Sequence, residues 1–209
     1  AFAGRDPSER EVYRFMSRQQ AHLVIGFPGT TVAADDRFAV EVLSHVLGGP
    51  AGRLFLELRQ RQALAYRVSV QAVDGLDPGH LAIYVSLSPE NLDPAVAAIH
   101  REIDRVVADG ISATELARVK RHLLAGHAAG LEKRSAVATA LAFHEAYGLG
   151  WAEWARYPDR IGAVTVADVA VAAQRYLRWD LAVTATVRPA ALTPAAERRA
   201  RGRRDRAGR

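Results

Sequence analysis

Two short alternating segments constrain this chain's fold more tightly than any other feature. Tyr66, Val68, Val70 and Ala72 alternate with Arg67, Ser69 and Gln71; further on, Leu81, Ile83, Val85 and Leu87 alternate with Tyr84, Ser86 and Ser88. A period of two sends one set to each face of a strand. Between them, residues 74–79 carry the Asp, Gly and Pro of a turn. The pair is therefore a hairpin with one apolar and one polar face, and belongs to a sheet covered by helices on one side.

The rest of the chain fits that frame. Residues 11–15 and 21–27 read as strands, the second closed by Pro28 and Gly29. A last strand over 180–188 places Leu181, Val183, Ala185 and Val187 on one face. Asp35 or Asp36 caps a helix presenting Phe38, Val42 and Val46, which Gly48 and Gly49 end. Residues 53–61 form a short helix with Leu54, Phe55 and Leu58 inward. An apolar stripe of Leu92, Val96, Ile99, Ile103 and Val106 stops at Asp109-Gly110. Ser112 with Glu115 is a capping box, and Thr165 with Asp168 is a second N-terminal signature. Helices are also expected over 135–147, 151–157 and 165–177. Strands in antiparallel pairs with helices in runs argue for an α+β fold, a mostly antiparallel sheet covered on one face by helices, over a doubly wound parallel sheet.

A 209-residue chain, 49% hydrophobic, can bury one sizeable core. We expect a single domain over 1–189 and a basic, flexible extension over 190–209. That extension explains the net charge of +5: seven arginines beyond residue 189 face two acids, so the body is neutral. Arginine outnumbers lysine 26 to 2, as in GC-rich bacterial genomes. There is no cysteine, which excludes disulfides and thiolate metal sites and leaves the compartment open. No apolar run approaches the ~20 residues of a membrane span. No signal peptide is visible, and residues 1–10 read as a polar lead-in to a strand, as in a processed chain or an excised domain.

Seven histidines invite a search for metal ligands. A zinc helix needs two imidazoles one turn apart beside a carboxylate, as His-Glu-x-x-His or its inverse His-x-x-Glu-His. His144-Glu145 begins the first pattern, but Gly148 stands where the second histidine belongs, and no histidine satisfies the inverse. His122 and His127, five apart, splay around a helix. They read as surface or half-buried groups, with a site assembled from distant residues left open. The Gly48 to Arg53 run lacks the Lys-Ser/Thr ending of a phosphate loop, and there is no Gly-x-Ser-x-Gly elbow. The arginine tail could hold nucleic acid or anionic lipid by charge alone. No aromatic platform accompanies it, so specific nucleic-acid recognition is not expected.

Arg59 and Tyr66 remain, seven residues apart across a helix-to-strand corner. Read plainly, Arg59 is a solvated helix-end arginine and Tyr66 a core residue of its strand. Read functionally, the guanidinium donates a fork of hydrogen bonds to a peptide carbonyl, and the phenol donates to an oxygen gaining negative charge.

The runs Leu47-Gly48-Gly49, Gly52-Arg53-Leu54-Phe55, Glu57-Leu58-Arg59 and Leu64-Ala65-Tyr66 resemble the corresponding stretch of pitrilysin-type zinc metallopeptidases, the insulin-degrading-enzyme-like and mitochondrial-processing-peptidase-like group. The likeness runs from about Gln20 to Val187, with Pro50 and Ala51 departing mildly from the usual loop residues. It implies two homologous α+β halves closing around a peptide. One half carries the inverted zinc motif; the other supplies an arginine and a tyrosine. By this resemblance the chain is the metal-free half, Arg59 holds a substrate carbonyl, Tyr66 steadies the oxyanion, and Gly48, Gly49 and Gly52 form the substrate loop. No cofactor is expected in this chain; zinc, its ligands and the general base belong to a homologous partner half, on the same polypeptide or a separate subunit. The alternatives are a non-catalytic structural subunit of the same fold, or a basic-tail nucleic-acid or membrane binder.

Overall fold

The computed structural model describes residues 10–16 and 19–189. The expected arginine-rich extension over 190–209 lies outside them. Five strands, β1 (Glu11–Met16), β2 (Ala21–Pro28), β3 (Ala65–Val73), β4 (His80–Leu87) and β5 (Val183–Pro189), form one sheet in the order β1-β5-β2-β4-β3. The β5-β2, β2-β4 and β4-β3 pairs are antiparallel, and only the outer β1-β5 pair is parallel.

Register explains where the core sits. Ala21, Leu23, Ile25 and Phe27 lie opposite Leu87, Val85, Ile83 and Leu81, while Val68, Val70 and Ala72 lie opposite Val85, Ile83 and Leu81. Three strands thus send their apolar sets to one face. The α-helices of the described residues are α1 (Arg37–Gly48), α2 (Arg53–Phe55), α3 (Leu92–Asp109), α4 (Ala113–Leu131), α5 (Arg134–Ala146), α6 (Tyr157–Ala163) and α7 (Val166–Tyr176). Leu43 and Leu47 of α1, Ile99 and Ile103 of α3, and Val169 of α7 are fully buried in the same core as the strand residues. Each such side chain contributes about 1.5–3 kcal/mol on burial, far more than a residue's helix propensity.

Both capping boxes form as the sequence predicts, Ser112 with Glu115 and Thr165 with Asp168. Four expectations need correction in detail. Asp36 occupies the N-cap position of α1 but makes no capping bond. Its carboxylate instead accepts from Tyr176 Oη at 2.8 Å and Arg175 Nη1 at 2.9 Å, so a tertiary tie from the end of α7 replaces the local one. The helix expected over 53–61 is α-helical only to Phe55 and continues as a π-helix, Leu56–Arg61. The segment Trp151–Arg156 is a 3-10 turn, with α6 beginning at Tyr157. Leu181 belongs to another 3-10 turn, Trp179–Leu181, ahead of β5.

Strand β5 also turns its apolar set outward. Val183, Ala185 and Val187 share a face, but they stand opposite Gly26, Val24 and His22, on the helix-free side. Thr184 and Thr186 pair with Ile25 and Leu23 on the core side, and Thr186 is buried. The well-specified β2 sets that register, and a shift of one residue would reverse every side chain.

Candidate functional site

The corner between α2 and β3 is built by three departures from regular geometry. Gln62 N–H bonds Glu57 C=O at 3.1 Å, an i to i−5 link that closes the π-helical turn carrying Arg59. Ala63 then takes a left-handed φ of 50°, and Leu64 N–H bonds back to Leu58 C=O at 2.7 Å. That last bond ties the residue before Arg59 to the chain two residues before Tyr66. Asn91 Nδ2 donates to Leu64 C=O at 3.2 Å, pinning the corner from the start of α3.

The third departure decides where Tyr66 points. Ala65 pairs with Leu87, but Arg67 pairs with Ser86, so Tyr66 is the extra residue of a β-bulge. A bulged residue leaves the alternation and is re-aimed. Tyr66 therefore does not share the inward face of Val68, Val70 and Ala72, as strict alternation implies; it is 53% exposed. Its hydroxyl lies 2.6 Å from Ser88 Oγ, at the end of β4. The structure thus removes the reading of Tyr66 as a core residue.

Arg59 is exposed, with its guanidinium carbon 5.6 Å from the centroid of the Phe55 ring. Glu57, two residues earlier, is committed elsewhere. It accepts from Gln62 Nε2 at 2.6 Å and Arg61 Nη1 at 3.0 Å, bonds that hold its carboxyl below the ordinary range. Arg59 and Tyr66 thus stand on linked segments of one corner, both open to solvent.

The glycines of the preceding loop have close-packing roles. A Cβ on Gly48 would fall 2.5 Å from Val70 Cβ, and one on Gly52 2.7 Å from Leu47 C=O. Gly49 is extended, with φ −67°, and a Cβ there would meet His45 C=O at 2.6 Å. Gly48 thus lets α1 lie directly on β3. The loop carbonyls of Pro50 and Ala51 accept from Arg118 Nη1 at 2.8 and 2.6 Å. Below them, Arg53 is clamped to Glu115 through Nε–Oε1 at 2.7 Å and Nη2–Oε2 at 2.9 Å, and also donates to Gly110 C=O at 3.1 Å. The Arg53 bond, aided by Ser112, holds the Glu115 carboxyl down at about 2.

Sequence reasoning did not single out Ser88, Asn91 or Arg118, because their partners are distant in the chain. The Arg53-Glu115 pair had half a signal: Glu115 was visible as a capping residue, but not the guanidinium it holds. Ala63 suggests a stability test. A left-handed non-glycine residue costs about 1–2 kcal/mol; allowing for the greater unfolded-state freedom of glycine, Ala63→Gly is expected to stabilise by roughly 0.5–1 kcal/mol. A thermal melt should rise by about 1–3 °C, and a fall would mean that the Ala63 methyl is needed for packing.

Residues 3–123 match the family described as "Peptidase M16 inactive domain". The chain belongs to the M16 peptidase family. It matches the part of that pitrilysin-like group described as the inactive domain. It is 31% identical to an uncharacterised zinc protease of Streptomyces coelicolor over 163 residues, covering 76% of this chain and 35% of that one. The M16 inactive domain of a Pseudomonas fluorescens protein superposes with a TM-score of 0.78 at 20% identity, covering 86% of this chain and 43% of that one. The inactive peptidase domain of a Bordetella parapertussis protein gives a TM-score of 0.74 at 22% identity, over 82% of this chain and 93% of that one. The chain thus spans about a third of the Streptomyces relative's length. Among the described residues no three His, Cys, Asp or Glu side chains converge to hold a metal, and no helix is long and apolar enough to cross a membrane.

Proposed function

We propose that this M16 domain is the substrate-gripping half of a two-part zinc metalloendopeptidase, completed by a homologous zinc-bearing half on the same polypeptide or a second subunit. The observation that carries the reading is the bulge that lifts Tyr66 out of the core, on a corner that also carries an exposed Arg59, in a chain of the inactive-domain type. Arg59 presents two parallel N–H groups to a substrate backbone carbonyl, a geometry lysine cannot reproduce. Tyr66 donates its O–H to the carbonyl oxygen as that oxygen becomes an anion. Ser88 holds the phenol meanwhile; when Tyr66 donates to substrate, the Ser88 hydroxyl can donate to the phenol oxygen. Zinc on the partner half would supply the activated water and Lewis acidity. On this reading the close-packed Gly48-Gly49-Gly52 run is the substrate loop, joined to the corner through α2 and the π-helical turn.

The test is reconstitution. This chain alone should not hydrolyse a quenched fluorescent peptide library. Combined with the zinc-bearing half, it should produce chelator-sensitive cleavage that neither part shows alone. A stable complex without hydrolysis would replace this reading with that of a structural subunit.

A further inference from the structure

We propose that a second site, a cavity between α1, α4 and the Trp151–Arg156 turn, binds an organic cation: an alkylammonium or guanidinium group. The cavity has a volume of about 420 Å³ and is distant in sequence from the Arg59/Tyr66 corner; the proposal does not rest on the peptidase reading. Its polar and aromatic lining is Glu41, His45, His122, His127, Trp154 and Tyr157, with no lysine or arginine.

The Glu41 carboxylate and the aromatic faces attract positive charge. Glu41 is half-buried, and its Oε1 accepts from Tyr157 Oη at 2.6 Å. Burial raises the Glu41 carboxyl above the ordinary range, against the pull of Tyr157 and His45. Arg37 reaches Glu41 through its field but does not line the cavity.

The three rings adjoin one another, one pair stacked and one tilted. His127 lies 4.7 Å from Tyr157 at 24° and 5.4 Å from Trp154 at 50°. Faces of this kind hold ammonium and guanidinium groups, contributing about 0.5–2 kcal/mol each. His45 completes the set. Its Nδ1–H donates to the Glu41 carbonyl at 3.1 Å, which makes Nε2 the ring atom able to accept whenever the imidazole is unprotonated. His122 lies 5.8 Å from it, centroid to centroid. A bare metal ion needs ligands drawn together within about 2 Å of one point, and no three do so here among the described residues. A larger cation can span a carboxylate, an imidazole nitrogen and a ring face spread around 420 Å³.

The cation could be a free amine or a side chain of another polypeptide. Isothermal titration of the whole protein at pH 8 separates these. The probes are n-propylguanidinium, a capped Gly-Arg-Gly peptide and its citrulline counterpart. Binding of n-propylguanidinium that Glu41→Gln weakens at least tenfold, and Trp154→Leu about three- to tenfold, supports the site, provided both variants melt like the parent. Tenfold tighter binding of the arginine peptide would identify a side chain as the source, and equal binding a free cation. Equal affinity for the citrulline peptide, unchanged affinity in Glu41→Gln, no binding of any probe, or displacement of n-propylguanidinium by stoichiometric Zn²⁺ would overturn it.

Discussion

In the assembled two-half peptidase, Tyr66→Phe is expected to lower kcat by about ten- to a thousandfold, reaching at its upper end the roughly hundred- to thousandfold loss typical of removing one oxyanion donor. KM should change little, because the hydroxyl acts on charge that develops only in the transition state. The substitution leaves the ring in place, and Tyr66 is 53% exposed on a bulge, so stability should stay within about 0.5 kcal/mol. Ser88→Ala, which removes the 2.6 Å partner of the phenol but not the phenol, should cost a smaller factor, about two- to tenfold. Arg59→Ala should lower kcat/KM by a factor of ten to a thousand as well, with Arg59→Lys recovering only part, since an ammonium cannot fork. Turnover that survives both Tyr66→Phe and Arg59→Ala would remove the assigned roles while leaving the family membership intact.

Arg53→Ala is expected to destabilise the domain by about 2–4 kcal/mol, measured by denaturant unfolding. Arg53 makes three hydrogen bonds that join the start of α2 to the start of α4 and to Gly110. Its loss leaves Glu115, whose side chain is 20% exposed, with a half-buried charge answered only by Ser112. The same pair sets an acid dependence. The folded-state pKa of Glu115 lies below its ordinary 4.5, at about 2, so its stabilisation is complete above pH 4.5 and is lost as the pH falls towards 2. Discounted for the partial exposure of both partners, that loss amounts to roughly 1–2 kcal/mol. In Arg53→Ala most of this slope between pH 4.5 and 2 should vanish. An unchanged slope would mean that the capping box alone, through Ser112, depresses Glu115.

Much of the architecture was legible because it is written in short-range periods. The apolar sets of β2, β3 and β4 and the stripe of α3 follow from side-chain geometry within one element, and both capping boxes are four-residue patterns. The corner was legible as a location, through the run from Gly48 to Tyr66, and the likeness to pitrilysin-type enzymes held when the chain matched the M16 inactive domain. Less legible was anything that depends on a distant partner. Asp36 looks like a cap and is instead the anchor of Tyr176, about 140 residues on. The histidines looked scattered, yet α1 and α4 bring His45 beside His122, and the 3-10 turn brings Trp154 to His127.

The sequence by itself determined where most strands and the longer helices lie, which side of the central strands is apolar, and where two helices begin. Those depend on contacts within a few residues, where spacing alone sets geometry. Only the tertiary structure decided that Tyr66 leaves the core, that β5 turns its valines away from the helices, and that Arg53 serves Glu115. Each turns on a one-residue choice of register or on the meeting of groups far apart in the chain. Such choices are made by the summed hydrogen bonds and packing of neighbouring strands, which no local pattern encodes.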